Sequence, residues 1–194
     1  MADYLLFGPH RSGKTQLVHS LNNEPYDNPQ ETGDVEYKVK RGTFLGSLGF
    51  SKFSIHEIGG KDLYYKKGFL TDAFKNDKRV IFVFNGNEFI RELKNYKEGG
   101  LISTILRCHV MPSLEDAQNK QPIQFIATYE DQYSGEKTDM HSEIINCIER
   151  ANTEYLRIVP AQRYPYKSLL HGNLFCVDAT DSNKVRQLFK QIEL

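Results

Sequence analysis

The chain has 194 residues, enough for one domain with a substantial core. Its 25 lysines and arginines balance 25 aspartates and glutamates, which leaves neither a basic field for nucleic acid nor an acidic tail. No apolar run is long enough for a transmembrane helix, so the sequence predicts no encoded membrane anchor.

Apolar runs alternate with helix-length segments along the chain. DYLLF (3–7) reads as a buried strand and residues 14–21 as the helix after it. DVEYKVK (34–40) alternates like a sheet-edge strand. RGTFLGSLG (41–49) supplies the glycines of a hairpin turn, and FSKFSIHEI (50–58) returns as the next strand. Residues 62–76 read as a helix despite Gly68. RVIFVF (79–84), PIQFIAT (122–128) and NLFCVDA (173–179) are strongly apolar strands, with helical patterns around 89–108, 139–156 and 183–192. This mostly βαβ order predicts a single α/β domain over residues 1–194, with a six-stranded, mostly parallel sheet, one antiparallel edge strand and helices on both faces. Residues 156–172, with two prolines and no clear period, read as an insertion or long loop.

GPHRSGKT (8–15), between the first strand and its helix, meets the pattern GxxxxGK[ST] at Gly8, Gly13, Lys14 and Thr15. It is the sequence of a P-loop, and its setting is the one the mechanism needs. Glycines let the backbone approach phosphate oxygens and aim successive N–H groups inward, while the helix N-terminus adds a field that favours anions. Lys14 then reaches the β- and γ-phosphates and Thr15 ligates Mg²⁺ through its hydroxyl. The phosphate-binding set is Gly8, His10, Arg11, Ser12, Gly13, Lys14, Thr15 and Gln16. His10 and Arg11 lie inside the loop, where either could bring positive charge to a transition state.

HEIGGK (56–61) ends the third strand. Here the sequence resembles the Ras-like small GTPases, and the Arf branch in particular, whose DxxG motif usually reads DLGGQ. Glu57, Ile58, Gly59, Gly60 and Lys61 take those places. The resemblance implies that Glu57 holds a water on Mg²⁺, across one methylene more than the family's aspartate, and that Gly60 offers its N–H to the γ-phosphate. ATYED (127–131) aligns with NKxD, which implies that Asp131 accepts two hydrogen bonds from the guanine edge. Thr128 stands where the family has Asn, and Tyr129 replaces Lys; its ring could stack on the base in place of the lysine stem. VDATDS (177–182) resembles the SAK element, which implies a backbone N–H from Ala179 to the guanine O6. Thr32 lies 18 positions beyond Lys14, near the TIGF of Arf-like chains. It is the candidate switch threonine and, with Thr15 and Glu57, a candidate metal ligand. IERANTEYLR (148–157) also resembles the β subunit of the signal-recognition-particle receptor, more distantly.

Phosphoryl transfer in such a site works by positioning and charge stabilisation. The glutamine that follows DxxG in the family is Lys61 here, and an ammonium group only donates, so it cannot accept a hydrogen bond from the attacking water. Lys14, Lys61 and Gly60 are the candidate groups on the γ-phosphate, and the expected activity is slow GTP hydrolysis. Three functions fit. The first is a GTP/GDP switch with Mg²⁺ that docks protein effectors through residues 32–36 and 60–74. The second is a pseudo-GTPase whose nucleotide is structural and whose surface assembles a complex. The third, a P-loop ATPase or kinase with Arg157 and Arg163 on a lid, would make the guanine motifs a coincidence.

Cys108, Cys147 and Cys176 lie far apart without a CxxC pair, which predicts buried free thiols in a reducing compartment. Ala2 at the second position and the ending QIEL predict neither myristoylation nor prenylation. The expected setting is cytoplasmic.

Overall fold

The computed structural model describes residues 3–26, 35–40, 52–58, 68–76, 78–95, 100–106, 110, 123–135, 139–158, 170 and 172–193. Among them run β1 (Asp3–Phe7), α1 (Lys14–Asn22), β2 (Val35–Lys40), β3 (Lys52–Glu57), α2 (Phe69–Lys75), β4 (Arg79–Asn85), α3 (Gly86–Lys94), α4 (Leu101–Ile105), β5 (Gln124–Thr128), α5 (Met140–Ile158), β6 (Leu174–Cys176) and α6 (Ser182–Glu193). The strands form one sheet in the order β2-β3-β1-β4-β5-β6. Every pairing is parallel except β2 with β3, so the antiparallel strand lies at the edge, as the alternation of residues 34–40 predicts.

Side chains alternate across each strand, and here both faces are covered, so the central strands read as unbroken apolar runs. On one face Tyr4, Leu6, Ile55, Ile81, Val83 and Ile126 pack with Leu17, Val18 and Leu21 of α1 and Val185, Leu188 and Phe189 of α6. On the other, Leu5, Phe7, Val80, Phe82, Phe84 and Phe125 meet α2, α3, α4 and α5. Phenylalanines run across this second face: Phe7–Phe82 at 4.9 Å between ring centroids, Phe82–Phe84 at 5.6 Å and Phe84–Phe89 at 5.0 Å. Each fully buried ring contributes about 2–3 kcal/mol of transfer free energy, so this stack anchors the strand ends that carry the site.

Several boundaries differ from the pattern in the sequence. The helix read over 62–76 is described only from Phe69, where Gly68 at φ +80° begins it. The single pattern around 89–108 is two helices, α3 and α4. Glu92 joins them by accepting from the N–H groups of Ile102 and Ser103 at 3.0 and 3.1 Å. α5 continues through Ile158, so helix replaces the first three residues of the loop read over 156–172, and Arg157 belongs to that helix. Arg163, the hairpin turn at 41–49 and most of the 156–172 segment lie outside the described residues. Among the described residues no helix is long and apolar enough to cross a membrane.

Candidate nucleotide site

Parallel register brings the carboxyl ends of the central strands to one edge. Leu6 pairs with Glu57, Phe7 with Phe82, Asn85 with Thr128 and Ala127 with Cys176. The chain turns from β1 to β3 on one side and to β4 on the other. The loop after β1 therefore sits at a topological switch point, where open α/β sheets bind ligands.

That loop is Gly8–Gly13, and its shape depends on close contact with the strands beneath. A Cβ on Gly8 would lie 1.9 Å from the Val83 carbonyl oxygen. Gly13, at φ +84°, rests on Thr128 and precedes Lys14, the first residue of α1. No side-chain hydrogen bond from Gly13 caps α1 and no acid lies in its first turn, so the field at its N-terminus favours an anion. Arg11, exposed and at φ +58°, forms the crest of the loop, and His10 is half-buried beside it.

Lys14 is buried at 5% exposure. Its Nζ donates to the Pro9 carbonyl at 2.9 Å, the Gly8 carbonyl at 3.1 Å and Ser12 Oγ at 3.3 Å. Burial pushes the ammonium down to about 8, against the opposing pull of the Glu57 carboxylate. Glu57, 1% exposed, comes from the end of β3. The extra methylene is accommodated: Thr15 Oγ1 donates to Glu57 Oε1 at 2.8 Å. A hydroxyl and a carboxylate beside a phosphate loop are the hard oxygen donors that Mg²⁺ takes, with water and phosphate supplying the rest of the shell. The residues thus fit the ion. Among the described residues no group of three or more His, Cys, Asp or Glu could hold a metal by itself.

Three predicted ligands have their side chains engaged with the frame. Thr128, fully buried, shares its hydroxyl proton between the Ser12 carbonyl at 2.8 Å and the Phe84 carbonyl at 3.1 Å, so it braces the loop instead of facing a ligand. The Ser12 hydroxyl turns inward to Lys14. Gln16 Nε2 donates to Ser20 Oγ at 3.1 Å, and Ser20 Oγ donates to the Ala179 carbonyl at 2.6 Å. That relay ties α1 to the turn after β6, whose Asp181 then caps α6 through the N–H groups of Asn183 and Lys184. Ala179 is itself buried there. Asp131 is exposed on the 3-10 turn Glu130–Gln132. Thr32, Gly60 and Lys61 lie outside the described residues.

Two tyrosines complete the site. Tyr129, at φ +63°, donates from its hydroxyl to the Arg11 carbonyl at 3.3 Å, while Asn87 Nδ2 holds the Tyr129 carbonyl at 3.3 Å. Neighbouring residues of the β5 end thus hold neighbouring carbonyls of the loop. Tyr26, which belongs to none of the motifs, packs its ring on His19 with centroids 4.8 Å apart; burial and the Glu57 charge hold its phenol above its ordinary pKa. Only the aromatic-for-lysine exchange at 129 left a trace in the sequence. The thiols are inert by comparison: burial pushes Cys147 up to about 11 and the partly buried Cys176 up to about 12, and Cys108 lies outside the described residues.

The same architecture recurs in solved structures. The mammalian SRP receptor superposes with a TM-score of 0.63 at 19% identity, over 98% of this chain and 97% of that one. A probable GTP-binding protein, engB, gives 0.60 at 14% identity over 99% and 97% of the two chains. The Arl6 BBS3 small GTPase from Trypanosoma brucei, solved with the nucleotide analogue GppNp, gives 0.54 at 16% identity over 99% and 95%. The fold is that of the small GTPases. The Arf-like resemblance in the motifs is consistent with this set. No protein-family model matches the sequence, and no curated protein matches it. Within the small-GTPase fold, the loop at 8–15, the Glu57 corner and the turns after β5 and β6 share the edge where the motif order predicts them.

Thr128→Val tests the brace. Valine keeps the shape and removes the proton shared by two carbonyls, one of them in the phosphate loop. The expected cost is about 1–3 kcal/mol of stability, read as a lower denaturant midpoint with an unchanged slope.

Proposed function

We propose that this chain is a guanine-nucleotide-binding protein that takes GTP and GDP with Mg²⁺ and hydrolyses GTP slowly. One observation carries the reading: Lys14, almost wholly buried, stands beside the Thr15–Glu57 pair and donates to the Gly8 and Pro9 carbonyls and to Ser12 Oγ. A cation kept at such a desolvation cost suits a polyanion that arrives later. Each phosphate oxygen would replace a neutral acceptor with a charged one. The GppNp held by the Arl6 structure supports the same reading. Guanine selection rests on Asp131, exposed at the turn after β5, and on the N–H of Ala179.

As a switch, the protein would dock protein effectors through residues 32–36 and 60–74, without nucleic acid. A cytoplasmic setting is favoured by the free thiols of Cys147 and Cys176. A second reading, a scaffold with a permanently held nucleotide, is favoured by the double brace of Thr128 and Tyr129 on the loop.

Calorimetry with GTP, GDP and ATP in the presence of Mg²⁺ tests the proposal. Both guanine nucleotides should bind, and ATP should bind at least about 100-fold more weakly, because adenine offers no donor pair to the Asp131 carboxylate and no O6 to the Ala179 N–H. Uptake of neither GTP nor GDP ends it. Slow turnover is tested separately by single-turnover hydrolysis: Lys61→Gln should accelerate it about tenfold or more, by restoring an acceptor for the attacking water. A fast parent slowed by that change would contradict the role given to Lys61.

A further inference from the structure

Ser20 lies among Leu17, Val18 and Leu21 on the buried face of α1, itself only 2% exposed. A hydroxyl inside a helix ordinarily returns to a carbonyl of its own preceding turn. This one donates instead to the Ala179 carbonyl at 2.6 Å, across 159 positions of sequence, while Gln16 Nε2 donates into it at 3.1 Å. A carbonyl only accepts, so the single hydroxyl proton lies on the Ala179 side and the Gln16 amide meets a serine lone pair. Ala179 is buried in the turn between β6 and α6. There the Asp178 carboxylate accepts from the N–H of Thr180 at 2.8 Å, and the Asp178 carbonyl from the N–H of Asp181 at 3.1 Å. Arg186 Nε of α6 donates to the Leu21 carbonyl at 3.4 Å. α1 is thus tied both to the turn and to the helix that follows it.

We propose that Ser20 is a positioning residue for guanine, holding the turn after β6 where the Ala179 N–H meets O6 of the base. The inference rests on the nucleotide reading of the loop. α1 carries the phosphate end of the site at Lys14 and Thr15, and Gln16 and Ser20 follow one turn apart on the same helix. One helix therefore sets the span between the two ends of the ligand. Ser20 transmits that span to the base end, because the carbonyl it holds belongs to the residue whose N–H reads O6. Without the hydroxyl, the Ala179 carbonyl is a buried acceptor that has lost its donor. Turning it toward another donor swings the backbone of the same residue and takes its N–H off the O6 direction. The contacts of Lys14 and Thr15 do not pass through this bond, so the phosphate end keeps its geometry.

The probes are GDP and the diphosphate of 2-aminopurine riboside, which keeps the ribose, the phosphates and the exocyclic amino group but lacks O6. The parent should bind GDP at least about tenfold more tightly than the analogue. Ser20→Ala should weaken GDP about tenfold and the analogue less than about twofold, so that the preference collapses. A merely structural role would lower the melting temperature and weaken both ligands alike. Gln16→Glu supplies a second reading with Ser20 in place. A carboxylate only accepts and competes for the serine proton, so the preference for GDP should fall again, whatever the added charge costs both ligands at the phosphate end. An unchanged preference in either variant that folds overturns the proposal. A parent that binds GDP and the analogue equally also overturns it, and leaves the nucleotide reading standing. A parent that binds neither overturns that reading and the inference with it.

Discussion

Gly8→Ala should abolish nucleotide binding and lower stability by about 3 kcal/mol or more. The methyl group would lie 1.9 Å from the Val83 carbonyl oxygen, a backbone atom of a strand buried on both faces, and φ at this position is +153°. Val83 cannot give way, because its strand is paired to β1 on one side and β5 on the other. The loop must lift instead, and lifting it breaks the Lys14 contacts to the Gly8 and Pro9 carbonyls. Gly68→Ala provides the control: φ is +80° but nothing lies within 4 Å of the added carbon. Only the left-handed penalty of about 1–2 kcal/mol then applies, with nucleotide affinity intact. Urea unfolding and GDP titration of both variants check this, and equal losses at the two positions would show that the loop does not rest on β4 as described.

Lys14→Met should weaken GDP and GTP binding on the order of 100-fold and change how stability depends on pH. In the folded protein burial holds this ammonium near pKa 8, against 10.5 for the free side chain. Below pH 8 the group is charged in both states, and its burial costs the fold a roughly constant amount, of order 3 kcal/mol. Between pH 8 and 10.5 the unfolded chain holds the proton more tightly than the folded one, so the Lys14 contribution to stability rises with pH. Above that window the group is neutral in both states and the penalty is gone. Methionine keeps the apolar stem and cannot titrate, so the rise should disappear from the variant's unfolding curves measured across that range. Nucleotide reverses the effect. A polyphosphate draws the Lys14 pKa upward, so binding near pH 8.5 should take up a proton in the parent and not in the variant, measurable as a dependence of binding heat on the buffer's ionisation enthalpy.

The fold was legible because its signals are local and repeated. A strand covered on both faces must be apolar at nearly every position, and β1, β4 and β5 each announce this in five to seven residues. The phosphate loop was legible for a related reason, since its amides, its glycines and Lys14 all come from eight consecutive positions. Helix boundaries were less so. Glu92 joins α3 to α4 through bonds to residues ten and eleven positions away, and hydrophobic periodicity does not record such a bond. The side-chain partners of Thr128, Ser12 and Gln16 were not legible, because a motif records which residues line a loop and not which frame atoms their side chains meet. Each has a nearer partner in the frame.

By itself, then, the sequence determined the layered sheet, the antiparallel edge strand and the residues from Gly8 to Thr15 as the glycine-rich turn between β1 and α1. Each of these is dictated by burial pattern or by contiguous backbone. Tertiary structure alone decided how the polar groups are shared out: Glu57 on Thr15 across 42 positions, Thr128 on Ser12 across 116, and Tyr129 on Arg11 across 118. Those pairings depend on strand register, such as Leu6 with Glu57 and Asn85 with Thr128. A buried hydroxyl or carboxylate takes whichever partner the register places within about 3 Å.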